Sequence, residues 1–126
     1  LRRCLMRRDG GRCRECDLDV AKAANAAGAA ARALGRHAKP AAYLAAAVQA
    51  LERNPAWAKL APFLRLSPRR GRPMPGSLWQ ADHIKAVSEG GGLCGLDNMR
   101  VLCSPCHAEV TRTRPHGAPR PASPDR

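Results

Sequence analysis

Four residues in the second half of the chain carry side chains that could hydrolyse a phosphodiester bond. Asp82 and His83 are adjacent, Asn98 follows a glycine-rich segment, and His107 comes directly after a C-x-x-C pair. An imidazole titrates near neutral pH and can activate a water molecule as a general base. A carboxylate and an imidazole can together hold a divalent cation, which neutralises phosphate charge and stabilises the leaving oxygen. These residue types therefore match what phosphodiester hydrolysis requires.

Each of these residues also has a plain structural explanation. Asp82 and His83 could form a surface hydrogen-bonded pair, and Asn98 could be a turn residue. His107 could simply neighbour a zinc site. Taken singly, these explanations are the more common ones. The four residues together, framed by cysteines, favour a catalytic site.

Two C-x-x-C pairs, Cys13–Cys16 and Cys103–Cys106, predict a structural zinc site. Zinc prefers four tetrahedral thiolate or imidazole ligands, and each short turn supplies two of them. The long spacing between the pairs does not specify this pairing by itself, and a disulfide or redox role is the alternative. A zinc ion here would stabilise the folded state directly and tie the N-terminal segment to the candidate site.

The other cysteines and the start of the chain bear on location. Cys4 and Cys94 have no partner at C-x-x-C spacing, and we expect them to be free or buried thiols. No signal-peptide pattern opens the chain, so the six cysteines favour metal ligands and free thiols over disulfides. We therefore expect an intracellular protein, cytoplasmic or nucleoid-associated. The chain begins with Leu1, which leaves an upstream domain open.

The composition indicates a thin core and a polyanionic partner. The chain has 126 residues, which is one domain by length, and only 3% of them are aromatic. Much of the apolar content is alanine, which buries little area, so a second source of stability is expected. The net charge of +12 fits DNA, RNA or an acidic membrane surface. No apolar run is long enough to span a bilayer, and we expect no membrane partner.

The local patterns predict a ββα unit around the four candidate residues. Residues 78–84 and 98–103 read as strands, and the glycine-rich loop 89–95 allows the chain to double back. Ser104 and Pro105 are typical of a helix start, which places His107 in the first turn. Adjacent strand residues point to opposite faces, so Asp82 and His83 can serve one site only if the strand ends or distorts there.

The rest of the chain is predicted to be helical, followed by a loop. Helices are expected over about 19–34 and 40–53, with a third short helix opened by Asn54 and Pro55. The first segment is rich in arginine and turns at residues 9–11 to deliver the first cysteine pair. We expect one domain over 1–114, with a helical insertion at about 19–66, a basic loop at 67–76 and a ββα core at about 77–114. Residues 115–126 are expected to be a disordered tail.

The motifs together resemble the HNH, or ββα-metal, endonuclease family. The likeness covers roughly residues 5–18 and 77–112 and is similar to the C-x-x-C branch found in annealing-helicase proteins and stand-alone bacterial HNH domains. It rests on five motifs: C-x-x-C at 13–16, W-Q-A-D-H-I at 79–84, E-G-G-G at 89–92, L-D-N at 96–98 and L-C-x-x-C-H at 102–107. The resemblance implies an α+β fold, a ββα-metal unit with a structural Cys4 zinc site and an alanine-rich helical insertion.

The resemblance also implies roles for individual residues. His83 is expected to be the general base, oriented by Asn98, while Asp82 and His107 hold a catalytic Mg²⁺ or Mn²⁺ ion. Cys13, Cys16, Cys103 and Cys106 are expected to bind the structural zinc ion. The expected reaction is hydrolysis of DNA to leave 5′-phosphate and 3′-hydroxyl ends.

Several arginines are candidates for phosphate contacts, which carry no sequence information, so we expect little sequence preference in DNA. These residues are Arg69, Arg70, Arg72, Arg100, Arg112 and Arg114. Any one of these basic runs could instead be a solvated face. Two alternatives to a DNA endonuclease are a zinc-stapled nucleic-acid-binding module without catalysis and a nuclease directed at RNA.

Overall fold

The computed structural model describes residues 1–84 and 95–113, which form four α-helices and four short strands. The helices are α1 (Arg2–Arg8), α2 (Val20–Arg32), α3 (Pro40–Glu52) and α4 (Ser104–Thr113). The strands are β1 (Arg65–Leu66), β2 (Pro73–Met74), β3 (Trp79–His83) and β4 (Met99–Cys103). Short 3₁₀ helices span Ala58–Phe63, Pro75–Leu78 and Leu96–Asn98. Over these described ranges, no helix has the length and apolar character needed to cross a bilayer.

Strands β3 and β4 form an antiparallel pair on which α4 packs. Trp79 lies opposite Cys103 at one end of the pair, and His83 lies opposite Met99 at the other. Helix α4 begins at Ser104, directly after β4, and runs back over both strands. The predicted α+β fold with a ββα unit is therefore confirmed.

Helices α2 and α3 pack against each other through small side chains. Asp19 caps α2, since its carboxylate accepts the backbone N–H of Lys22 at 3.0 Å. The facing side chains recur at every fourth position, which places them on one side of each helix. They are Ala23, Ala27 and Ala31 of α2 and Tyr43, Ala47 and Leu51 of α3. Four of these six side chains are alanines, so the apolar area that this pair buries is small, as the composition predicted.

Three elements differ from the prediction. Helix α1 was not expected, and it buries Leu5 in the core. The basic loop is shorter than 67–76, because β2 pairs with β1 and leaves residues 67–72 as the turn. The third helix is a 3₁₀ segment over Ala58–Phe63, in which Pro62 cannot donate an α-helical hydrogen bond. These elements are too short for hydrophobic periodicity to reveal them.

The N-terminal segment covers the outer edge of β4. The buried Asp9 carboxylate accepts the backbone N–H of Val101 at 2.8 Å, and the backbone N–H of Arg14 donates to the Val101 carbonyl at 2.8 Å. Arg8 donates to the carbonyls of Met99 and Leu96. These bonds satisfy strand groups that would otherwise be exposed at a sheet edge. They also hold β4 in place beside the candidate site.

An apolar core joins the helices to the ββα unit. Leu5 of α1, Leu51 of α3 and Leu60 contact the same cluster as Leu78 and Val101. All five side chains are fully buried. The helical part and the ββα unit therefore share one core and stabilise each other.

Candidate active site and metal centre

The two C-x-x-C pairs meet in one cluster. The sulfur atoms of Cys13, Cys16, Cys103 and Cys106 all lie within 4.8 Å of one another. Four sulfurs bound to one zinc ion at about 2.3 Å are separated by about 3.8 Å. The Sγ atoms of Cys16 and Cys103 are 3.8 Å apart. The predicted pairing of the cysteines is therefore confirmed, and their geometry and chemistry fit a tetrahedral metal such as zinc.

Backbone and side-chain donors surround these sulfurs. The N–H groups of Glu15 and Cys16 point at the Cys13 sulfur, at 3.4 and 3.5 Å. The Lys59 ammonium lies 3.3 Å from the Cys16 sulfur. A zinc ion with four thiolates carries a net negative charge, so these donors would stabilise the metal-bound form. Lys59 has no sequence signal, because it is far from both pairs along the chain.

Burial and hydrogen bonds among the thiols shift their pKa values in opposite directions. The hydrogen bond from Cys103 lowers the pKa of Cys13 to about 4, and the same bond raises the pKa of Cys103. Burial raises the pKa of Cys106 to about 11. Because zinc binds thiolates, it must displace the protons that Cys103 and Cys106 hold at neutral pH.

Asp82 and His107 come together where the first turn of α4 packs on β3. Asp82 is buried in β3 with 2% of its surface exposed, and its Oδ1 atom lies 3.8 Å from Nε2 of His107. The other carboxylate oxygen, Oδ2, accepts from Nε of Arg100 at 3.3 Å. Arg100 lies directly opposite Asp82 in the β3–β4 register. A carboxylate and an imidazole that are distant in sequence therefore share one small region.

His83 and Asn98 lie at the end of β3. His83 is the last residue of the strand, which satisfies the condition that the strand ends where Asp82 and His83 are needed together. The backbone N–H of Ile84 donates to the Asn98 carbonyl at 2.9 Å, which brings Asn98 beside this end. Both His83 and Asn98 are buried, at 3% and 9% exposure. Burial of two polar side chains is costly unless they are bonded or functional.

The candidate phosphate-contacting arginines have different environments. Arg69 and Arg70 are exposed in the turn between β1 and β2. The Arg72 guanidinium stacks on the Tyr43 ring at 3.9 Å, and Arg112 pairs with Glu109 on the exposed face of α4. Arg114 and Cys94 lie outside the described residues.

The structure also identifies two acidic residues that the sequence interpretation missed. In the sequence, Asp9 lies in the predicted turn at residues 9–11, and Glu15 lies between the cysteines of the first C-x-x-C pair. Asp9 anchors β4, and Glu15 accepts from Nη1 of Arg100 at 3.3 Å. Asp9 precedes two glycines, and Glu15 precedes a cysteine. Acidic residues beside such turns are too common to indicate a role.

The fold and the site define an HNH-type domain. Residues 69–113 match the family model described as HNH endonuclease. This part of the chain is therefore similar to the HNH endonuclease family, and the resemblance predicted from the sequence is confirmed.

Individual proteins show the same similarity. The chain is 47% identical over 58 residues to the mouse DNA annealing helicase and endonuclease ZRANB3, and 46% identical over 55 residues to the human protein. These matches cover 46% and 44% of this chain. The chain spans about 5% of the length of these relatives.

A solved structure, that of the human ZRANB3 HNH domain, is similar over most of the chain. It superposes with a TM-score of 0.51 and 27% identity, covering 88% of this chain and 83% of that one. Residues outside 19–66 make up less than two thirds of the chain, so a match of this extent includes much of the helical segment. Part of the helical segment therefore has a counterpart in that solved domain.

Proposed function

We propose that this domain hydrolyses DNA phosphodiester bonds with the help of a divalent cation. The observation that carries the proposal is the approach of Asp82 Oδ1 to His107 Nε2, at 3.8 Å, beside the buried His83 at the end of β3. This arrangement lies within the part of the chain that matches the HNH endonuclease family. The similarity to proteins named as DNA annealing helicases and endonucleases supports DNA as the substrate.

Asp82 and His107 are suited to hold Mg²⁺ or Mn²⁺. Their facing atoms, Oδ1 and Nε2, lie 3.8 Å apart, close enough that both would hold one cation. Two protein ligands leave coordination positions for water and for phosphate oxygens, which Mg²⁺ commonly retains. Such a cation supplies charge neutralisation at the scissile phosphate and stabilises the leaving oxygen.

The residues of the chain would divide the remaining work. His83 would take the proton from the attacking water as general base, because an imidazole is the side chain best matched to this task near neutral pH. Asn98, held beside the end of β3 by the Ile84 bond, would orient His83. The burial of both side chains limits their motion, which is what a catalytic pair requires.

The four-cysteine cluster would have a structural task. It joins the segment after α1 to the start of α4, and α4 carries His107. A bound zinc ion would therefore fix the helix from which His107 reaches Asp82. This separates the roles of the two metals: zinc for structure, and Mg²⁺ or Mn²⁺ for catalysis.

DNA would be held mainly through its phosphates. The chain carries a net charge of +12, and Arg69 and Arg70 project from an exposed turn. Contacts of this kind give binding with little sequence preference and a steep dependence on salt. A DNA substrate also fits the intracellular location expected from the cysteines.

The test is the nicking of supercoiled plasmid by the zinc-loaded chain, with Mg²⁺ or Mn²⁺ and with EDTA. Wild type should convert the plasmid to nicked or linear forms only with the added cation. His83→Ala should lower the rate by at least about a hundredfold, as expected for loss of a general base. His37→Ala, which changes an exposed histidine far along the chain, is the matched control and should cleave like wild type.

The outcomes separate the alternatives. Plasmid binding without cleavage at any cation would favour the zinc-stapled binding module. Cleavage that survives His83→Ala would show that His83 is not the base. Faster cleavage of structured RNA than of plasmid by the same preparation would favour the RNA-directed nuclease.

A further inference from the structure

Arg100 lies between two carboxylates that belong to distant parts of the chain. Its Nε atom donates to Oδ2 of Asp82 at 3.3 Å, and its Nη1 atom donates to Oε2 of Glu15 at 3.3 Å. The Arg100 side chain is 26% exposed, so its pair with the buried Asp82 is shielded from water, whereas its pair with Glu15 (53% exposed) lies nearer the surface. One guanidinium therefore connects β3 to the first cysteine turn.

The two oxygens of Asp82 face different partners. Oδ2 contacts Arg100, whereas Oδ1 is the atom that faces Nε2 of His107 at 3.8 Å. A carboxylate that rotated about its Cβ–Cγ bond would move Oδ1 away from His107. The bond from Arg100 opposes this rotation, because it holds the second oxygen in place.

Glu15 is in turn held by the cysteine turn. It lies between Cys13 and Cys16, and its own backbone N–H points at the Cys13 sulfur at 3.4 Å. The neighbouring Arg14 N–H donates to the Val101 carbonyl at 2.8 Å, which fixes the turn against β4. The position of the Glu15 carboxylate therefore depends on the fold of the cysteine site.

We infer that Arg100 is a positioning residue that orients the Asp82 carboxylate toward the catalytic cation, and that Glu15 holds Arg100 in this orientation. The cysteine site and the catalytic site are thereby coupled through one chain of contacts, from Glu15 to Arg100 to Asp82. This inference rests on the proposed role of Asp82 as a cation ligand. It differs from the sequence-based expectation that Arg100 contacts a DNA phosphate.

The shape of the guanidinium group allows the positioning role of Arg100 to be separated from the effect of its positive charge. Arg100 uses two different nitrogen atoms for its two partners, which a planar fork can do and a single ammonium cannot. Arg100→Lys keeps the positive charge, so it leaves the repulsion between this side chain and a cation nearly unchanged. It removes the geometry that spans both carboxylates.

The experiment measures Mn²⁺ affinity by electron paramagnetic resonance titration of the zinc-loaded full chain, without DNA. Arg100→Lys should weaken Mn²⁺ binding about tenfold, as is usual for residues that orient a metal ligand. Glu15→Gln is a nearly isosteric change at an exposed position. It should weaken Mn²⁺ binding about threefold, in keeping with a partly exposed ion pair. Zinc content and melting temperature should stay at the wild-type values in both variants.

Arg12 and Asp17 provide matched controls. They form an exposed ion pair at 3.7 Å, with side chains 50% and 85% exposed. Arg12→Lys and Asp17→Asn repeat the same two kinds of chemical change without touching Asp82 or Arg100. Both should bind Mn²⁺ like wild type, which shows that such a change elsewhere on the surface is insufficient.

Three results would overturn the inference. Wild-type Mn²⁺ affinity in Arg100→Lys would overturn it and leave Arg100 as a phosphate contact. Wild-type affinity in Glu15→Gln would overturn the coupling to the cysteine turn, and this variant carries the test if Arg100→Lys fails to fold. Unchanged affinity in Asp82→Asn would overturn the proposed cation site and the inference together, so that failure is distinguishable from the first two.

Discussion

Replacement of Asp9 by asparagine tests how β4 is anchored beside the candidate site. The Asp9 side chain is fully buried and accepts hydrogen bonds from three donors: the Val101 N–H at 2.8 Å, Arg8 at 2.9 Å and Arg14 at 3.3 Å. Asparagine keeps the shape but loses the charge, and it places an NH₂ group where one oxygen accepted. At least one donor therefore loses its acceptor.

The expected loss of unfolding free energy is about 3 kcal/mol. A buried hydrogen bond to a charged group contributes about 1.5–3 kcal/mol. Arg8 and Arg14 are 37% and 57% exposed, so water screens their pairs with Asp9, and each contributes at most about 1 kcal/mol. A loss of this size lowers the melting temperature by about 10 °C in a chain of this length. The measurement is urea unfolding of the zinc-loaded protein at pH 7, followed by circular dichroism.

The same variant has a predicted pH dependence. Burial by itself would raise the pKa of Asp9, but hydrogen bonds from Arg8 and from the Val101 N–H outweigh burial and lower it. The ionised carboxylate therefore stabilises the fold above its unfolded-state pKa of about 3.9, and this contribution is lost as the pH falls through the lower pKa of the folded state. The difference in stability between wild type and Asp9→Asn should be constant from about pH 8 to 6 and shrink below about pH 4.

A matched substitution gives the control. Asp17 is exposed and pairs with Arg12 at 3.7 Å, so Asp17→Asn should change the unfolding free energy by less than about 0.5 kcal/mol. An Asp9→Asn protein as stable as the Asp17→Asn protein would show that the buried carboxylate does not anchor β4.

Further predictions concern the metal and the DNA. Cys103→Ser should lower zinc content from one ion per chain to none and reduce the melting temperature, whereas the exposed Cys4→Ser should leave both unchanged, as elemental analysis and thermal unfolding would show. Zinc binding at pH 7 should release protons from Cys103 and Cys106, so affinity should rise with pH, and calorimetry in buffers of different ionisation enthalpy measures this release. Equal heats in all buffers would contradict it. Arg69→Gln combined with Arg70→Gln should weaken binding to all duplex sequences alike and reduce the salt slope by about two; an unchanged slope would show that this turn does not contact DNA.

Short-range patterns predicted the chemical parts of this protein. The two C-x-x-C pairs, the adjacent Asp82 and His83, and the helix start at Ser104 are each set by a few neighbouring residues. The capping of α2 by Asp19 is equally local. Local geometry depends on nearby residue types, so these features and the ββα unit could be predicted without knowledge of the packing.

Other features involve contacts between remote segments. The burial of Asp9 against β4 and the position of Lys59 beside Cys16 join residues far apart in the chain. The environment of Arg100 changed its interpretation in the same way, because Glu15, far from it along the chain, contacts it in the fold. The β1–β2 pair was missed because two-residue strands have no periodicity to detect.

The amino-acid sequence by itself determined which reactive groups this protein has: four thiols in two turns, a carboxylate beside an imidazole, and a second imidazole one helical turn into α4. Only the tertiary structure decided which of them meet, since the cysteine pairs and the Asp82–His107 pair are closed by the packing of the shared core. The physical reason is that side-chain chemistry belongs to single residues. Proximity, by contrast, requires the entropy of closing long loops to be offset by burial elsewhere.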